Sequence, residues 1–536
     1  MLTALSFPDA DLWPGAPLGL GLLYLALRRD SARWNALLGL LWGLTVYLPL
    51  LWWAYTSVGV VPWVALSTAV AGFQAATSAL WTWWRRWETR PGSGGGHRAL
   101  RRWLDPVAFA TLWVAAEQAR SVWPFGGFPW GRLAFSQVGS PLLPLAWLGG
   151  APLVSGVVVL VGALAAEAGL ALRRDARRAA AVGAAAAALL VVAGLAVPLD
   201  TAAERGTLRV GVVQGNVPGQ GLEAFGRQWQ VLDNHVAGTR ALLDRVAPGD
   251  LDLVLWPENG TDVDPQADAT AAGLIDGAAR AVDAPMLVGT VQYPATGGRY
   301  NTAVVWQPGV GVVDQYSKQR PAPFGEYVPL RSLVRHFSSA VDLVSQDMIA
   351  GTKPGIVHVA VPRLGRDVGI GVVICFEVAY DDLVDSAVTH GGEVLVVQTN
   401  NASFGWTAES TQQLAMTQLR AVEHGRTAVQ VSTVGVSAVV EPDGTVVDRT
   451  RLFTAAQIVA TLPLRTSTTP ATWLGPWPGR AAAFATLAAI VGCAASAVRR
   501  RTSSLRSARS ATSTTGMSTT STPEPSTTQT DTTDGA

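Results

Sequence analysis

The sequence is poor in cysteine and in charge. Only two of its 536 residues are cysteines, Cys375 and Cys493, which excludes a disulfide framework and leaves each cysteine to be interpreted alone. Charged residues make up 15% of the chain, against about 25% in an average soluble protein, while 49% of the residues are hydrophobic. This balance favours a protein that lies in a membrane.

Several functional patterns are also missing. The phosphate-binding pattern GxxxxGK(S/T), the dinucleotide-binding pattern GxGxxG, the CxxC pattern and the GxSxG pattern of serine hydrolases do not occur. The six histidines form no cluster with metal-ligand spacing, so we expect neither a metal nor another cofactor. The formal net charge of +1 argues against nucleic acid as a partner, because duplex binding needs a basic surface.

Lysine is nearly absent. Of the 40 basic residues, two are lysines, Lys318 and Lys353, and the other 38 are arginines. An ammonium group is more compact than a guanidinium group and its pKa is shifted more easily. Each lysine therefore indicates either a site that needs an ammonium group or an ordinary surface position, and for Lys353 both interpretations stay open.

Long apolar runs predict a membrane bundle. The runs that can cross roughly 30 Å of hydrocarbon lie at residues 12–27, 35–56, 60–83, 105–121, 144–172, 179–198 and 480–498. Arginines cluster in alternate loops, at Arg28 to Arg33, Arg85 to Arg102, Arg173 to Arg178 and Arg499 to Arg501. Because cytoplasmic loops keep their basic residues, we predict a multi-pass protein of the cytoplasmic (inner) membrane whose residues 199–478 lie on the extracytoplasmic face.

The segment 199–478 has the pattern of a soluble α/β domain. The predicted strands are TLRVGVVQG, DLDLVLWPE, APMLVGTVQ, NTAVVWQP, DVGIGVVIC, EVLVVQTN and TAVQVSTVG. Helical patterns lie near residues 222–247, 268–283, 378–390 and 408–425. We therefore predict an N-terminal bundle (1–198), a catalytic domain (199–478), a C-terminal membrane helix (479–498) and a cytoplasmic, disordered tail rich in Ser and Thr (499–536).

Cys375 ends an apolar strand and precedes a predicted helix. A thiol at the C-terminal edge of a sheet lies where active sites are common, and a helix N-terminus favours the thiolate. The alternative is a buried structural cysteine, which is the more frequent role of an isolated cysteine. Cys493 lies in an Ala-rich apolar run and indicates packing.

Two further residues also follow apolar strands. Glu258 ends LDLVLWPE and is a candidate general base, although a carboxylate that stabilises a loop would look the same. Lys318 opens the stiff loop QRPAPFGEYVP, which could hold it beside Glu326 and present its charge to an oxyanion. Together with the thiol of Cys375, these residues form a complete set of groups for acyl transfer.

The segments WPENG, KQRPAPFGEYVP and GVVICFE resemble the Glu-Lys-Cys segments of the nitrilase superfamily. Over residues 12–498 the chain resembles its membrane-bound branch, the apolipoprotein N-acyltransferase family, with further similarity at EQARSVWPFGGFPWGRLAFSQ, VVQGNVP and QLRAVEHGRTAVQVSTVGVSAVVEPDG. The resemblance implies a nitrilase-like αββα sandwich domain on a bundle of usually eight helices. Here seven spans are predicted, and an eighth would precede residue 12.

The same resemblance implies roles for individual residues. Glu258 would be the base, Lys318 the oxyanion stabiliser and Cys375 the nucleophile, while Glu326 and Glu377 match further essential carboxylates of the family.

Three more positions are assigned less directly. Phe225 falls roughly where the family has an aromatic residue on a mobile lid, and Phe376 stands where many members have Tyr. Asn401 lies in TNNASFG, which replaces the usual TND-aromatic-FG and alters a loop near the site. We expect Phe225 and Asn401 to contact substrate and Phe376 to support the nucleophile.

The implied reaction transfers an acyl chain from a membrane phospholipid to the N-terminal amino group of a diacylated apolipoprotein. We expect a monomer that works in the bilayer. One alternative is a membrane-tethered amidase or nitrilase that hydrolyses a small amide with the same three residues. A second is an inactive homologue that only binds lipoproteins.

Overall fold

The computed structural model describes residues 1–88, 95–217, 228–336, 341–342, 344–514, 524 and 526–528. The chain forms two units, Met1–Thr486 and Leu487–Ala536. The first unit contains both the N-terminal helices and the α/β domain. The division into four segments proposed from the sequence stays a prediction.

The N-terminal part is helical. Its helices are α1 (Gly15–Ala26), α2 (Ala32–Leu50), α3 (Trp52–Val58), α4 (Val60–Glu88), α5 (Gly95–Val122), α6 (Ala146–Arg173) and α7 (Arg177–Ala193). Packing between α2 and α4 depends on small residues: a Cβ at Gly43 would lie 2.7 Å from the Cβ of Ala71. Glycine therefore permits the close approach of these two helices.

Four segments of the described residues are long and apolar enough to cross a membrane. They are Val60–Arg86, Leu143–Leu172, Arg177–Ala196 and Trp477–Ala495. The pair α2 and α3 passes the same test together, with a bend of 58° between the two helices. The helix α1 is shorter, so the prediction of seven or eight spans stays a prediction.

The α/β domain begins with β1, and the sequence predicted most of its elements. Its strands are β1 (Thr207–Gln214), β2 (Leu253–Leu255), β3 (Met286–Gln292), β4 (Tyr300–Gln307), β5 (Gly311–Ser317), β6 (Ile356–Val361), β7 (Arg366–Ile374), β8 (Val394–Thr399), β9 (Ala428–Ser432), β10 (Ala438–Val440), β11 (Val446–Arg449) and β12 (Ala456–Pro463). Its helices are α8 (Gln228–Ala241), α9 (Ala269–Val282), α10 (Arg331–Val334), α11 (Asp381–Thr389) and α12 (Glu409–His424), followed by α13 (Pro470–Leu474) and α14 (Trp477–Thr514). All seven predicted strands are confirmed.

The strands form two six-stranded sheets. The first has the order β12-β1-β2-β3-β4-β5 and the second the order β11-β10-β9-β8-β7-β6. One apolar core joins side chains of both sheets, such as Leu253 of β2 and Ile370 of β7. A second core lies between the first sheet and helices α8 and α9, and a third covers the second sheet with α11 and α12. The predicted αββα sandwich is therefore confirmed.

The helical part and the α/β domain share polar contacts that are buried or half-buried. Arg132 donates to both carboxylate oxygens of Asp381, the first residue of α11, at 2.8 and 2.7 Å. The indole of Trp130 donates to Gln412 at 2.7 Å, and Gln412 donates to the carbonyl of Leu50 at 3.1 Å. Since buried ion pairs and hydrogen bonds are costly to break, these contacts fix the domain on the end of α2 and on the segment after α5.

Candidate active site

Three predicted site residues meet where strands of both sheets end. Glu258 lies three residues after β2, and Lys318 directly follows β5 in the same sheet. Cys375 directly follows β7 in the second sheet. All three are at least nine-tenths buried, with exposed fractions of 4%, 1% and 5%. The face-to-face packing of the sheets brings these strand ends together.

Lys318 and the two carboxylates beside it form the charged cluster (Glu258, Lys318 and Glu326). The ammonium of Lys318 lies 2.8 Å from Glu326 and 3.3 Å from Glu258. Burial alone would lower the pKa of Lys318, but the two carboxylates outweigh it and hold the pKa well above its ordinary value. Lys318 is therefore a permanent cation.

The Glu258 carboxylate is held from several directions. Its Oε1 accepts a hydrogen bond from the Asn301 side chain at 2.6 Å, and its Oε2 accepts one from the Asn400 backbone N–H at 2.9 Å. A Cβ at Gly289 of β3 would lie 2.2 Å from the carbonyl of Pro257, so only glycine lets this strand pass so close to Glu258. Burial raises the pKa of Glu258 above its ordinary value, which suits a group that accepts a proton.

The backbone of Cys375 has a strained conformation. Its φ is +56°, in the left-handed region that non-glycine residues rarely adopt. A short 3-10 turn, Cys375–Ala379, follows, and α11 begins only at Asp381. Strain of this kind persists where the surrounding structure fixes one residue, and it is common at reactive centres.

The thiol of Cys375 does not fit the expectation of a stabilised thiolate. Burial raises its pKa well above the ordinary value, and the nearby charge of Glu258 adds to this, although Lys318 opposes it. The turn after Cys375 is too short to act as a helix dipole, which is why that expectation is wrong. The thiol is protonated at rest, so attack requires a base.

Glu377 connects the two strand ends. Its Oε1 accepts hydrogen bonds from the backbone of Gln319 at 2.7 Å and of Arg320 at 3.1 Å, and its Oε2 accepts one from the backbone of Ile374 at 2.8 Å. The hydroxyl of Tyr316 donates to the same carboxylate at 2.9 and 3.0 Å. Glu377 thus fixes the loop after Lys318 against the turn that carries Cys375.

The aromatic cluster (Phe376, Phe404, Trp53 and Trp130) begins at the residue that follows Cys375. The ring of Phe376 packs 4.7 Å from that of Trp130 and 5.6 Å from that of Trp53, measured between centroids. Trp53 also packs 5.3 Å from Phe404. Two of these four rings come from the helical part, since Trp53 lies in α3 and Trp130 follows α5. The neighbour of Cys375 is therefore in direct contact with the N-terminal helical part.

The remaining predicted residues have different outcomes. Asn401 is buried, and its amide donates to Glu409 at 2.6 Å and to Gln413 at 3.0 Å, so its role in substrate binding stays a prediction. Phe225 lies outside the described residues. Lys353 is exposed on the surface, in contrast to Lys318.

Sequence reasoning missed two buried polar residues at the site. Asn301 donates to Glu258 and, at 3.4 Å, to Glu326. Glu409 begins α12 and is completely buried. The only available signal was a polar residue next to a buried apolar segment, which is too common to single out either residue.

The arrangement brings together a thiol, a carboxylate and a fixed cation. Lys318 has three N–H donors, and among the described residues two of them are directed at Glu258 and Glu326, which leaves one for an oxyanion. The described residues contain no group of three or more His, Cys, Asp or Glu side chains that could hold a metal ion. A thiol, a carboxylate and a cation in this arrangement are suited to nucleophilic acyl transfer.

Comparisons with known proteins give matches for both parts of the chain. Residues 1–164 match the apolipoprotein N-acyltransferase N-terminal domain, and residues 209–469 match the carbon-nitrogen hydrolase family. An amidase from Nesterenkonia sp. is a solved structure with 18% sequence identity and a TM-score of 0.36, and the match covers 50% of this chain and 94% of the amidase.

Two relatives match most of the chain. An apolipoprotein N-acyltransferase from Mycolicibacterium smegmatis is 39% identical over 497 residues, which are 88% of this chain and 80% of the relative. One from Azotobacter vinelandii is 33% identical over 486 residues, which are 87% of this chain and 88% of the relative. On this similarity, the chain belongs to the apolipoprotein N-acyltransferase family.

Proposed function

We propose that this chain transfers an acyl chain from a membrane phospholipid to the N-terminal α-amino group of an apolipoprotein that carries S-diacylglyceryl-cysteine. The relatives named apolipoprotein N-acyltransferase support this activity. The observation that carries the proposal is the contact of Phe376, the neighbour of the nucleophile, with Trp53 and Trp130 of the helical part. A reactive centre in contact with apolar helices suits a lipid substrate.

In the first half of the reaction, Glu258 takes the proton of the Cys375 thiol. The thiolate attacks the ester carbonyl of the phospholipid, and the N–H of Lys318 stabilises the oxyanion that forms. The ester C–O bond then breaks, and the leaving alkoxide takes the proton from Glu258. The products are an acyl thioester on Cys375 and a lysophospholipid.

In the second half, the neutral α-amino group of the apolipoprotein attacks the thioester carbonyl. Lys318 stabilises the second oxyanion, and Glu258 accepts the proton that the nitrogen loses. The C–S bond breaks, and the Cys375 thiolate recovers its proton from Glu258. The product carries a new amide, and the enzyme returns to its starting state.

A two-step reaction through one site lets two bulky lipids use it in turn. Glu258, Lys318 and Cys375 all come from the same chain, which supports a monomer as the active form. The charged cluster needs no bound cofactor for these steps.

The positions of the arginines support an extracytoplasmic catalytic domain. Arg28 pairs with Glu167 at 2.7 Å, and Arg85 donates to the carbonyl of Leu27 at 2.9 Å, so several arginine-bearing loops share one end of the bundle. Leu50, at the other end of α2, contacts the catalytic domain through Gln412. Because basic loops stay in the cytoplasm, we propose that the catalytic domain lies outside it.

Intact mass spectrometry tests the proposed function. Purified protein is incubated with phospholipid in detergent micelles, and wild type is compared with Cys375→Ser. We expect a mass gain of one acyl chain on wild type alone, and hydroxylamine should remove it. Addition of a diacylated peptide should then discharge the adduct and give an acylated peptide.

The alternatives predict different results. An amidase that uses the same residues would release the acyl group to water and leave the peptide unmodified. An inactive lipoprotein-binding homologue would give no adduct and no transfer. Transfer by a folded Cys375→Ser variant would disprove the thioester mechanism.

A further inference from the structure

Glu409 is a buried carboxyl group close to the site, and the proposed reaction has no use for it. It is completely buried at the start of α12. Its Oε2 accepts a hydrogen bond from the Asn401 side chain at 2.6 Å, and its Oε1 has no hydrogen-bond partner among the described residues. A buried carboxyl group of this kind requires an explanation, because burial without partners is costly.

The hydrogen bonds of Asn401 are fully used. Its amide N–H groups donate to Glu409 and to Gln413, and its carbonyl oxygen accepts from the hydroxyls of Ser432 and Ser410. The cluster is also tightly packed, because a Cβ at Gly435 would lie 2.2 Å from the Asn401 oxygen. The position of Asn401 is therefore fixed by its partners.

The residue before Asn401 contacts the proposed base directly. The backbone N–H of Asn400 donates to Oε2 of Glu258 at 2.9 Å. A shift of Asn401 would move this N–H, because the two residues are adjacent in the chain. The series of contacts thus runs from Glu409 through Asn401 and Asn400 to Glu258.

We propose that Glu409 is a positioning residue, which holds Asn401 so that the Asn400 N–H orients the carboxylate of Glu258. The inference rests on the proposed role of Glu258 as the base. Asn401 and Glu409 together would then position Glu258.

The protonation of Glu409 is consistent with this role. Burial raises its pKa to about 8, and the charge of Glu258 adds to the shift, although the Asn401 hydrogen bond opposes it. A neutral carboxyl group near pH 7 avoids a second buried negative charge close to the base. Glutamine, which is neutral and of similar shape, should therefore replace it with little loss.

The pH dependence of the acylation rate reflects every titratable group around Glu258. These groups are Lys318, Glu326, Asp262, Cys375 and Glu409. The Asn400 hydrogen bond lowers the pKa of Glu258. Its loss would raise that pKa, so the acid limb of the acylation rate should move to higher pH.

The test measures the rate of thioester formation on Cys375 between pH 5 and pH 9 with phospholipid in micelles. The rate of Glu409→Gln is expected to stay within about 3-fold of the wild-type rate, with the acid limb of the pH profile unchanged. The rate of Glu409→Ala is expected to fall about 10²-fold, and its acid limb is expected to move to higher pH. Asn401→Asp places a second carboxyl group in contact with Glu409, and its rate is expected to fall by a similar factor. The double variant Asn401→Asp with Glu409→Gln restores an acid–amide pair and is expected to recover most of the rate.

Each outcome decides between the possibilities. A wild-type rate and pH profile in Glu409→Ala would overturn the inference, as would a folded double variant no faster than Asn401→Asp. If Glu409→Ala fails to fold in a thermal melt, the comparison of the double variant with Asn401→Asp decides alone. Absence of the thioester on wild type would overturn the proposed function and the inference together.

Discussion

The two clusters at the reactive centre draw on different parts of the chain. The charged cluster follows strands of the α/β domain and is held by hydrogen bonds within that domain. The aromatic cluster takes half of its rings from the helical part. The reactive groups therefore come from the α/β domain alone, whereas the apolar surroundings of Cys375 are shared with the helical part.

The largest expected effect comes from replacing Cys375, the proposed nucleophile. Cys375→Ser should lower the transfer rate by about 10⁴-fold or more, because a hydroxyl beside Glu258 is a much weaker nucleophile than a thiol. Transfer of radiolabelled acyl chains to a diacylated peptide measures this. Cys493→Ser is the matched control and should stay within about 2-fold of wild type.

The next largest effect should come from the junction between the bundle and the domain. Arg132→Ala removes a buried guanidinium that pairs with Asp381 and lies 3.8 Å from the buried carboxylate of Glu117, and leaving a buried charge without its partner costs about 3–5 kcal/mol. Thermal unfolding in detergent should show the loss. The exposed pair of Arg280 and Asp276 is the control, and Arg280→Ala should cost no more than about 0.5 kcal/mol.

The same junction predicts a pH dependence. Burial would raise the pKa of Asp381, but Arg132 and Arg420 outweigh it and hold the pKa well below its ordinary value. The stabilisation by Asp381 is therefore fully present above an unfolded pKa of about 3.9 and is lost as the pH falls from there through the lower folded pKa. The difference in melting temperature between wild type and Arg132→Ala should shrink below pH 4; an unchanged difference would contradict this assignment.

Replacing each of the two lysines with arginine should show that only the one in the charged cluster affects the reaction. Lys318→Arg replaces a compact ammonium group with a planar guanidinium in a buried position and should lower kcat by about 10²- to 10³-fold. Lys353→Arg, on the surface, should leave kcat unchanged. Steady-state kinetics with the diacylated peptide measure both, and equal effects would remove Lys318 from the mechanism.

The smallest effect should come from the aromatic cluster. Phe376→Leu should cost about 1–2 kcal/mol of stability through lost packing against Trp53 and Trp130. It should slow acylation by phospholipid while Cys375 keeps its reaction rate with a small thiol reagent. Tyr293→Leu, at an exposed aromatic residue, is the control, and equal slowing of both reactions would mean that Phe376 acts on the thiol itself.

The sequence predicted those parts of the fold whose burial is simple. The strand β7 and its neighbour β8 are buried along most of their length, so they appear as continuous apolar runs. The strand β6 alternates buried and exposed residues and is interrupted by His358, so it was not predicted. A continuous apolar run is what made a strand recognisable in the sequence.

The candidate site was predicted in part for the same reason. Glu258, Lys318 and Cys375 follow recognisable strands, and their resemblance to a known family identified them. Asn301 and Glu409 reach the site through contacts with other segments of the chain, which one sequence does not reveal. The predicted state of the Cys375 thiol was also wrong, because it depends on burial and on the charge of Glu258 across the sheet interface.

The pairing of the first and last strands of the domain has a consequence for biosynthesis. Thr207 of β1 pairs with Pro463 of β12, so the first sheet closes only after the ribosome has passed residue 463. The N-terminal helices are synthesised long before that point and can fold first. A chain that terminates early would carry inserted helices and an open sheet edge, which exposes it to aggregation and to degradation by membrane proteases.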